Sequence, residues 1–190
     1  MTDQITIDPK TTAVLLLHFQ FGTLSAGEAL PLAEAAAPFA DRMRAAGATI
    51  GFVNIGFDEA DAAAVPASNP MLAPLVGAGM MRIGSPEASN PPALTPQEGD
   101  IVVRNTRFGT FSTSPIEAEL ASRGIRTLVL AGVATGAVVV TTALEASDRD
   151  YEVIVVSDLV ADPDPSVQSA VLDGIIPRIG RAVLGESIVV

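Results

Sequence analysis

The chain has 190 residues, of which 48% are hydrophobic and only 4% aromatic, and its 22 acidic and 11 basic side chains give a net charge of −11. That length suits one domain spanning 1–190, able to bury about 70% of the surface an unfolded chain exposes over a core of Val, Leu, Ile and Ala. The negative charge argues against nucleic acid and anionic lipid as partners, and the absence of cysteine excludes disulfides, thiolate metal sites and thiol catalysis.

Residues 1–10 are polar and contain Pro9, unlike a signal peptide, so a cytoplasmic protein is expected. The continuous apolar run 13–17 reads as a strand covered on both faces, ending at His18. A helix follows over 32–46, closed by Gly47; Pro38 leaves open whether its regular part starts only there. A strand over 48–55 leads into residues 56–99, where seven prolines lie among Ala, Gly, Ser and Asn without periodicity. So long an irregular stretch is an insertion, a lid or an ordinary surface excursion.

Regular order resumes with a strand at 100–104 and a helix at 114–123, where Ser114, Pro115 and Glu117 form a capping-box pattern. A strand at 127–131, a helix at 136–148, a strand at 152–157, a helix at 165–176 capped by Asp164 and a short strand near 181–184 complete the chain. The most apolar stretch, 128–140, is interrupted by Gly132, Thr135 and Gly136, and is shorter than the roughly 20 residues of a membrane span. Strands alternating with helices predict an α/β protein with a parallel sheet and helices on both faces. Ligands of such sheets bind beyond the carboxyl ends of the strands.

Three segments carry a resemblance. Residues 13–22 read AVLLLHFQFG, residues 102–111 VVRNTRFGTF and residues 132–143 GVATGAVVVTTA. They are similar to the signature stretches of the isochorismatase-like cysteine hydrolases: a strand ending in Asp-x-Gln, a strand ending in Lys-x-Arg-x-Ser/Gly-x-Phe, and Gly-Val-x-Thr-x-x-Cys-Val-x-x-Thr-Ala. The likeness runs from about residue 12 to 184. It implies a three-layer α/β/α sandwich, Rossmann-like, whose six-stranded parallel sheet has the order 3-2-1-4-5-6.

In that family an Asp and a Lys activate a Cys nucleophile. The resemblance places His18 at the Asp position, Asn105 at the Lys position and Val138 at the Cys position; Arg104, one residue earlier, is the other reading of the Lys position. Val138 has no nucleophilic atom, so covalent thioester chemistry is excluded. The family's oxyanion turn, with its non-proline cis peptide, maps onto Val133, Ala134 and Thr135, with Gly136, Ala137 and Val138 supplying backbone donors.

His18 is the chain's one histidine; imidazole handles protons near neutrality, and the alternative is a structural strand-end residue. Asn105 and Gln20 are candidate polar groups beside it. Arg104 and Arg107 could bind a carboxylate or phosphate, or pair with surface acids. Phe19, Phe21, Phe108 and Phe111 could line an apolar pocket or pack in the core. Asp158, Asp162 and Asp164 fit caps and turns better than a metal site, and no cofactor or metal is expected. Two functions stay open: a small-molecule enzyme with His18 as general acid/base and Asn105 as orienter, or an inactive relative that binds a metabolite or a protein partner. Self-association as a dimer or tetramer is expected under either.

Overall fold

A computed structural model describes residues 4–24 and 30–190. Residues 1–3 of the polar N-terminal stretch lie outside that description. The elements, in order, are strand β1 (Ile5–Thr6), β2 (Thr12–Leu17), helix α1 (Phe21–Leu24), α2 (Leu30–Ala45), β3 (Thr49–Ile55), α3 (Glu59–Ala63), α4 (Leu72–Gly77), β4 (Ile101–Asn105), α5 (Thr110–Thr113), α6 (Ile116–Ser122), β5 (Thr127–Val133), α7 (Val140–Ser147), β6 (Glu152–Ala161), α8 (Pro165–Ser169), α9 (Ile176–Ile179), β7 (Arg181–Val183) and β8 (Ile188–Val189).

Six strands form one parallel sheet in the order β4-β3-β2-β5-β6-β7. Counting only these strands, the order is the expected 3-2-1-4-5-6. The sheet lies between two helical layers, and strand alternation sorts its side chains between them. Val14, Leu16, Ile50, Phe52, Val129 and Ala131 join α2 in one core. Leu15, Leu17, Val103, Leu128, Leu130 and Val155 join α6, α7 and α9 in the other. All six residues of β2 are buried, because that strand is flanked and covered on every side. The small parallel pair β1–β8 had no sequence signal, since two residues are too few to show a period.

Several boundaries differ from the sequence reading. Helix α2 runs straight through Pro38, because Ala33 and Ala36 before it and Phe39, Ala40 and Met43 after it bury one continuous face. That packing outweighs the one hydrogen bond a proline removes. The capping box at 114–117 does not form: α6 has Pro115 at its N-cap without a side-chain cap bond. Ser114 is drawn back onto the extra turn α5 by donating to the Thr110 carbonyl at 2.6 Å, while Glu117 lies 3.4 Å from Arg149 Nε. The helix expected at 165–176 is present as α8, a wider π-helical stretch at Ala170–Ile175, and α9. Pro177 follows the wide stretch and cannot donate back into an α-helical ladder.

Strand β6 is longer than expected. Its pairing with β5 jumps from Leu130↔Val155 to Gly132↔Val160, an irregularity that extends it to Ala161 and brings residues 162–164 beside the end of β5. Residues 56–99 contain α3, α4 and short 3-10 turns rather than one irregular loop. Ile55, Phe57, Val65, Leu72 and Met81, with Phe108 packed against them, form a third, smaller core that holds this excursion over the carboxyl ends of the strands.

Candidate active site

Strand β2 ends at Leu17, and the next residue turns sharply. His18 has φ of +56°, a left-handed conformation uncommon outside glycine. Its backbone fixes that turn: the His18 N–H donates to the Val53 carbonyl at 2.8 Å, and its carbonyl accepts from the Thr23 hydroxyl. The imidazole is 2% exposed, and Nε2 lies 2.9 Å from Asn105 Oδ1 at the end of β4. Taking Asn105 Oδ1 as the acceptor puts the proton on Nε2 and leaves Nδ1 as the basic nitrogen. Asn105 Nδ2 is buried without a hydrogen-bond partner among the described residues.

Burial pushes the His18 pKa down to about 4, and the bond to Asn105 only partly offsets this. The imidazole is therefore neutral at pH 7. It can accept a proton or share a hydrogen bond, but it is not a resting proton donor. This narrows the acid/base role expected from the sequence to that of a base.

The ring borders a cavity of about 220 Å³. Thr23 and Gly22 of α1 and Ile55 of β3 line it with His18, as do Val133, Ala134 and Ala137 from the turn after β5. Met71, Leu72 and Leu75 of the excursion, Phe108 and Pro163 complete the lining of this half-open cavity. Of these twelve residues only His18 and Thr23 have polar side chains. The Thr23 hydroxyl already donates to backbone carbonyls of His18 and Gln20.

The turn after β5 has the shape the resemblance implies, including a cis peptide between Val133 and Ala134. Two of its donors are engaged, however. Gly136 N–H donates to Asp162 Oδ2 at 2.7 Å, and Ala137 N–H to the Ala134 carbonyl at 3.1 Å. In this conformation these two do not form an open oxyanion hole. Thr135 is buried, with its hydroxyl 3.1 Å from Gln168 Oε1. Val138 is fully buried in the second core, among Leu17, Val103 and Phe111.

Other candidates lie apart from the cavity. Gln20 is a structural clamp: its Nε2 donates to the Ile55 and Ala88 carbonyls at 2.8 and 2.7 Å, and its Oε1 accepts from Ile55 N–H at 2.7 Å. Arg104 pairs with Asp61 and the Gly56 carbonyl. Arg107 donates to the Thr106 and Ala64 carbonyls. Neither arginine faces the cavity, because β4 is an edge strand and both guanidinium groups find partners on the excursion and its flanks. Phe19 is in the first core, Phe111 packs against Tyr151 with centroids 5.8 Å apart, and Phe21 is largely exposed; only Phe108 lines the cavity.

Each of the three nearby aspartates accepts backbone N–H groups: Asp158 from Gly185, Asp162 from Gly136 and Asp164, and Asp164 from Ser166. Among the described residues no group of three or more His, Asp or Glu is placed to hold a metal, and no helix is long and apolar enough to cross a membrane. The sequence reading missed Met71, Leu72 and Leu75. Their only trace in the sequence is an apolar cluster inside the proline-rich stretch.

A three-layer α/β/α sandwich with a parallel sheet and a cavity beyond the ends of β2, β3 and β5 defines a Rossmann-like class of fold. The chain belongs to the isochorismatase family, whose domain model matches residues 12–186. It is similar to an uncharacterized isochorismatase family protein, YwoC, of Bacillus subtilis, with 31% identity over 96% of this chain and 94% of that protein. It is also 29% identical to the ureidoacrylate amidohydrolase RutB of Caulobacter vibrioides over 90% of this chain and 86% of the relative. An isochorismatase family protein from Burkholderia thailandensis has the same fold, with a TM-score of 0.82, 28% identity and coverage of 97% and 96% of the two chains.

Proposed function

We propose that this chain is an isochorismatase-family enzyme that acts on a small organic molecule by acid–base chemistry without a covalent intermediate. The observation that supports this is the His18–Asn105 pair, 2.9 Å apart, with His18 lining a half-open apolar cavity. His18, Asn105 and Val138 stand where the family's Asp, Lys and Cys are expected, so the family's thiolate attack has no counterpart here.

Asn105 Oδ1 holds the Nε2 proton and so fixes the tautomer. Nδ1 then takes a proton from a bound substrate or from an attacking water, and Asn105 stabilises the imidazolium that forms. Hydrolysis, elimination, isomerisation and cyclisation all fit a single base of this kind. Acid-initiated cleavage of a vinyl ether does not, since the resting imidazole carries one proton and no charge.

A base with a pKa of about 4 gives activity that rises with pH through about 4 and is flat from about 5 to 8. The test is a turnover screen of single-ring esters and lactones, followed by His18→Ala. The expected loss in kcat is about 100-fold or more, within the usual reach of general base catalysis. Full activity in His18→Ala, or an inflection near 6.5, rejects the reading. A second reading, a binder without turnover, is favoured by the engaged Gly136 and Ala137 amides; ligand binding with no product in any screen supports it.

A further inference from the structure

We propose that the His18 cavity is a site for one small uncharged ring, and that Asp162 is the specificity-determining residue that keeps anions out. The inference rests on the reading of this cavity as the ligand site. A cavity of about 150 Å³ is enough to hold benzene, so about 220 Å³ accommodates a single ring with one short substituent. None of the cavity's twelve lining residues is Lys, Arg, Asp or Glu. The two arginines closest in sequence to the site residues are tied to Asp61 and to backbone carbonyls.

Among the backbone N–H groups of the turn after β5 that could receive an anion, that of Gly136 is taken by Asp162. Its Oδ2 accepts from Gly136 N–H at 2.7 Å, and its Oδ1 accepts from Asp164 N–H at 3.0 Å, which fixes the carboxylate between the turn and α8. Gly136 permits that approach, since a Cβ there would collide with Val167 and come within 3.1 Å of Asp162 Oδ2. Gly136 lies between the lining residues Ala134 and Ala137, and Asp162 directly precedes the lining residue Pro163.

An entering carboxylate would therefore lose part of its water, find no cation among the lining residues, and meet at the turn a backbone N–H already held by a fixed carboxylate. A hydroxyl on a neutral ring meets the opposite situation. It can donate to the imidazole nitrogen not engaged with Asn105, and the rest of the molecule displaces only apolar contacts. The neutral state of His18 at pH 7 points the same way, because it offers an anion no charge partner.

The matched probes are benzyl alcohol and benzoate at pH 7.5. The readout is the imidazole NMR signal, which is unambiguous because the chain has one histidine. For the wild-type chain, benzyl alcohol should shift the His18 signal saturably and benzoate should bind at least about 100-fold more weakly, the penalty of burying an unpaired charge. Asp162→Ala should strengthen benzoate binding by about 10-fold or more while leaving benzyl alcohol within about 3-fold. Asp162→Asn, which removes the charge and keeps one of the two backbone N–H acceptors, should place benzoate affinity between those of the wild type and Asp162→Ala and keeps the test valid if Asp162→Ala does not fold. Equal binding of the two probes, binding of neither, or benzoate affinity unchanged in the folded variants overturns the proposal. Turnover surviving His18→Ala would instead reject the acid–base reading and leave charge selection intact.

Discussion

A neutral imidazole beside an amide behaves differently from one beside a carboxylate, and the His18–Asn105 pair makes that difference measurable. Asn105 bonds His18 without adding charge, so desolvation dominates and the pKa falls to about 4. Asn105→Asp puts a negative charge 2.9 Å from Nε2 and favours the protonated ring. The His18 titration midpoint should rise in that variant, followed by its NMR shift against pH; an unchanged or lower midpoint would show that the pair is not coupled as described. His18 stood out as the one histidine, at the end of an apolar strand, whereas Asn105 was marked only by the resemblance, which aligns it with the family's Lys. The contact of Gly136 with Asp162 could not be read from the sequence: the partners are 26 residues apart, and the irregularity in β6 that brings them together has no local signal.

At the scale of elements, Gln20 joins three pieces of chain. One side chain receives and donates at Ile55, the last residue of β3, and donates to Ala88 in the excursion. Gln20→Ala leaves the Ile55 N–H and C=O buried without these partners, a cost of about 3 kcal/mol when each unsatisfied group costs about 1–3. Urea unfolding should show that loss; a change under about 0.5 kcal/mol would mean that water replaces the amide. The strands were legible because β2 is a continuous apolar run from Ala13 and β3 and β5 are mostly apolar, a pattern that a buried parallel strand imposes. The excursion was not, because α3 and α4 bury their few apolar residues in a cluster of their own and show too few turns to establish a period. Thus Phe108 is one of four phenylalanines the sequence offers either to a pocket or to the core, whereas its neighbours in the cavity, Leu72 and Leu75, carry no such mark.

For the whole molecule, one buried base sets a window of pH sensitivity. His18 has a folded pKa of about 4, below its ordinary 6.5, so as pH falls the unfolded chain takes up the proton first. Stability is therefore unaffected by this group above about 6.5 and declines between 6.5 and 4, by a total of about 3 kcal/mol. Asp61 and Asp164 are held below their usual 3.8 by hydrogen bonds to their neighbours, so their contribution is lost only at lower pH. Chemical denaturation at pH 7, 5.5 and 4.5 should show the decline, and His18→Gln should remove it; a slope that persists in that variant would assign it to other groups.

The placement of β2 at the centre of the sheet also has a consequence in time. Its partner on one side, β3, follows it within a few dozen residues, but on the other side Ala13 pairs with Leu128. Translation at about 5–20 residues per second leaves an interval on the order of ten seconds between the two strands. For most of it, the growing chain can pair only β3 with β2, and β4 joins them only shortly before β5 is made, so one edge of β2 stays unpaired throughout. The nascent half-sheet is thus an aliphatic surface and an open strand edge together, the combination most prone to pairing with another chain. The yield of folded protein should depend on what shields that edge until β5 is made.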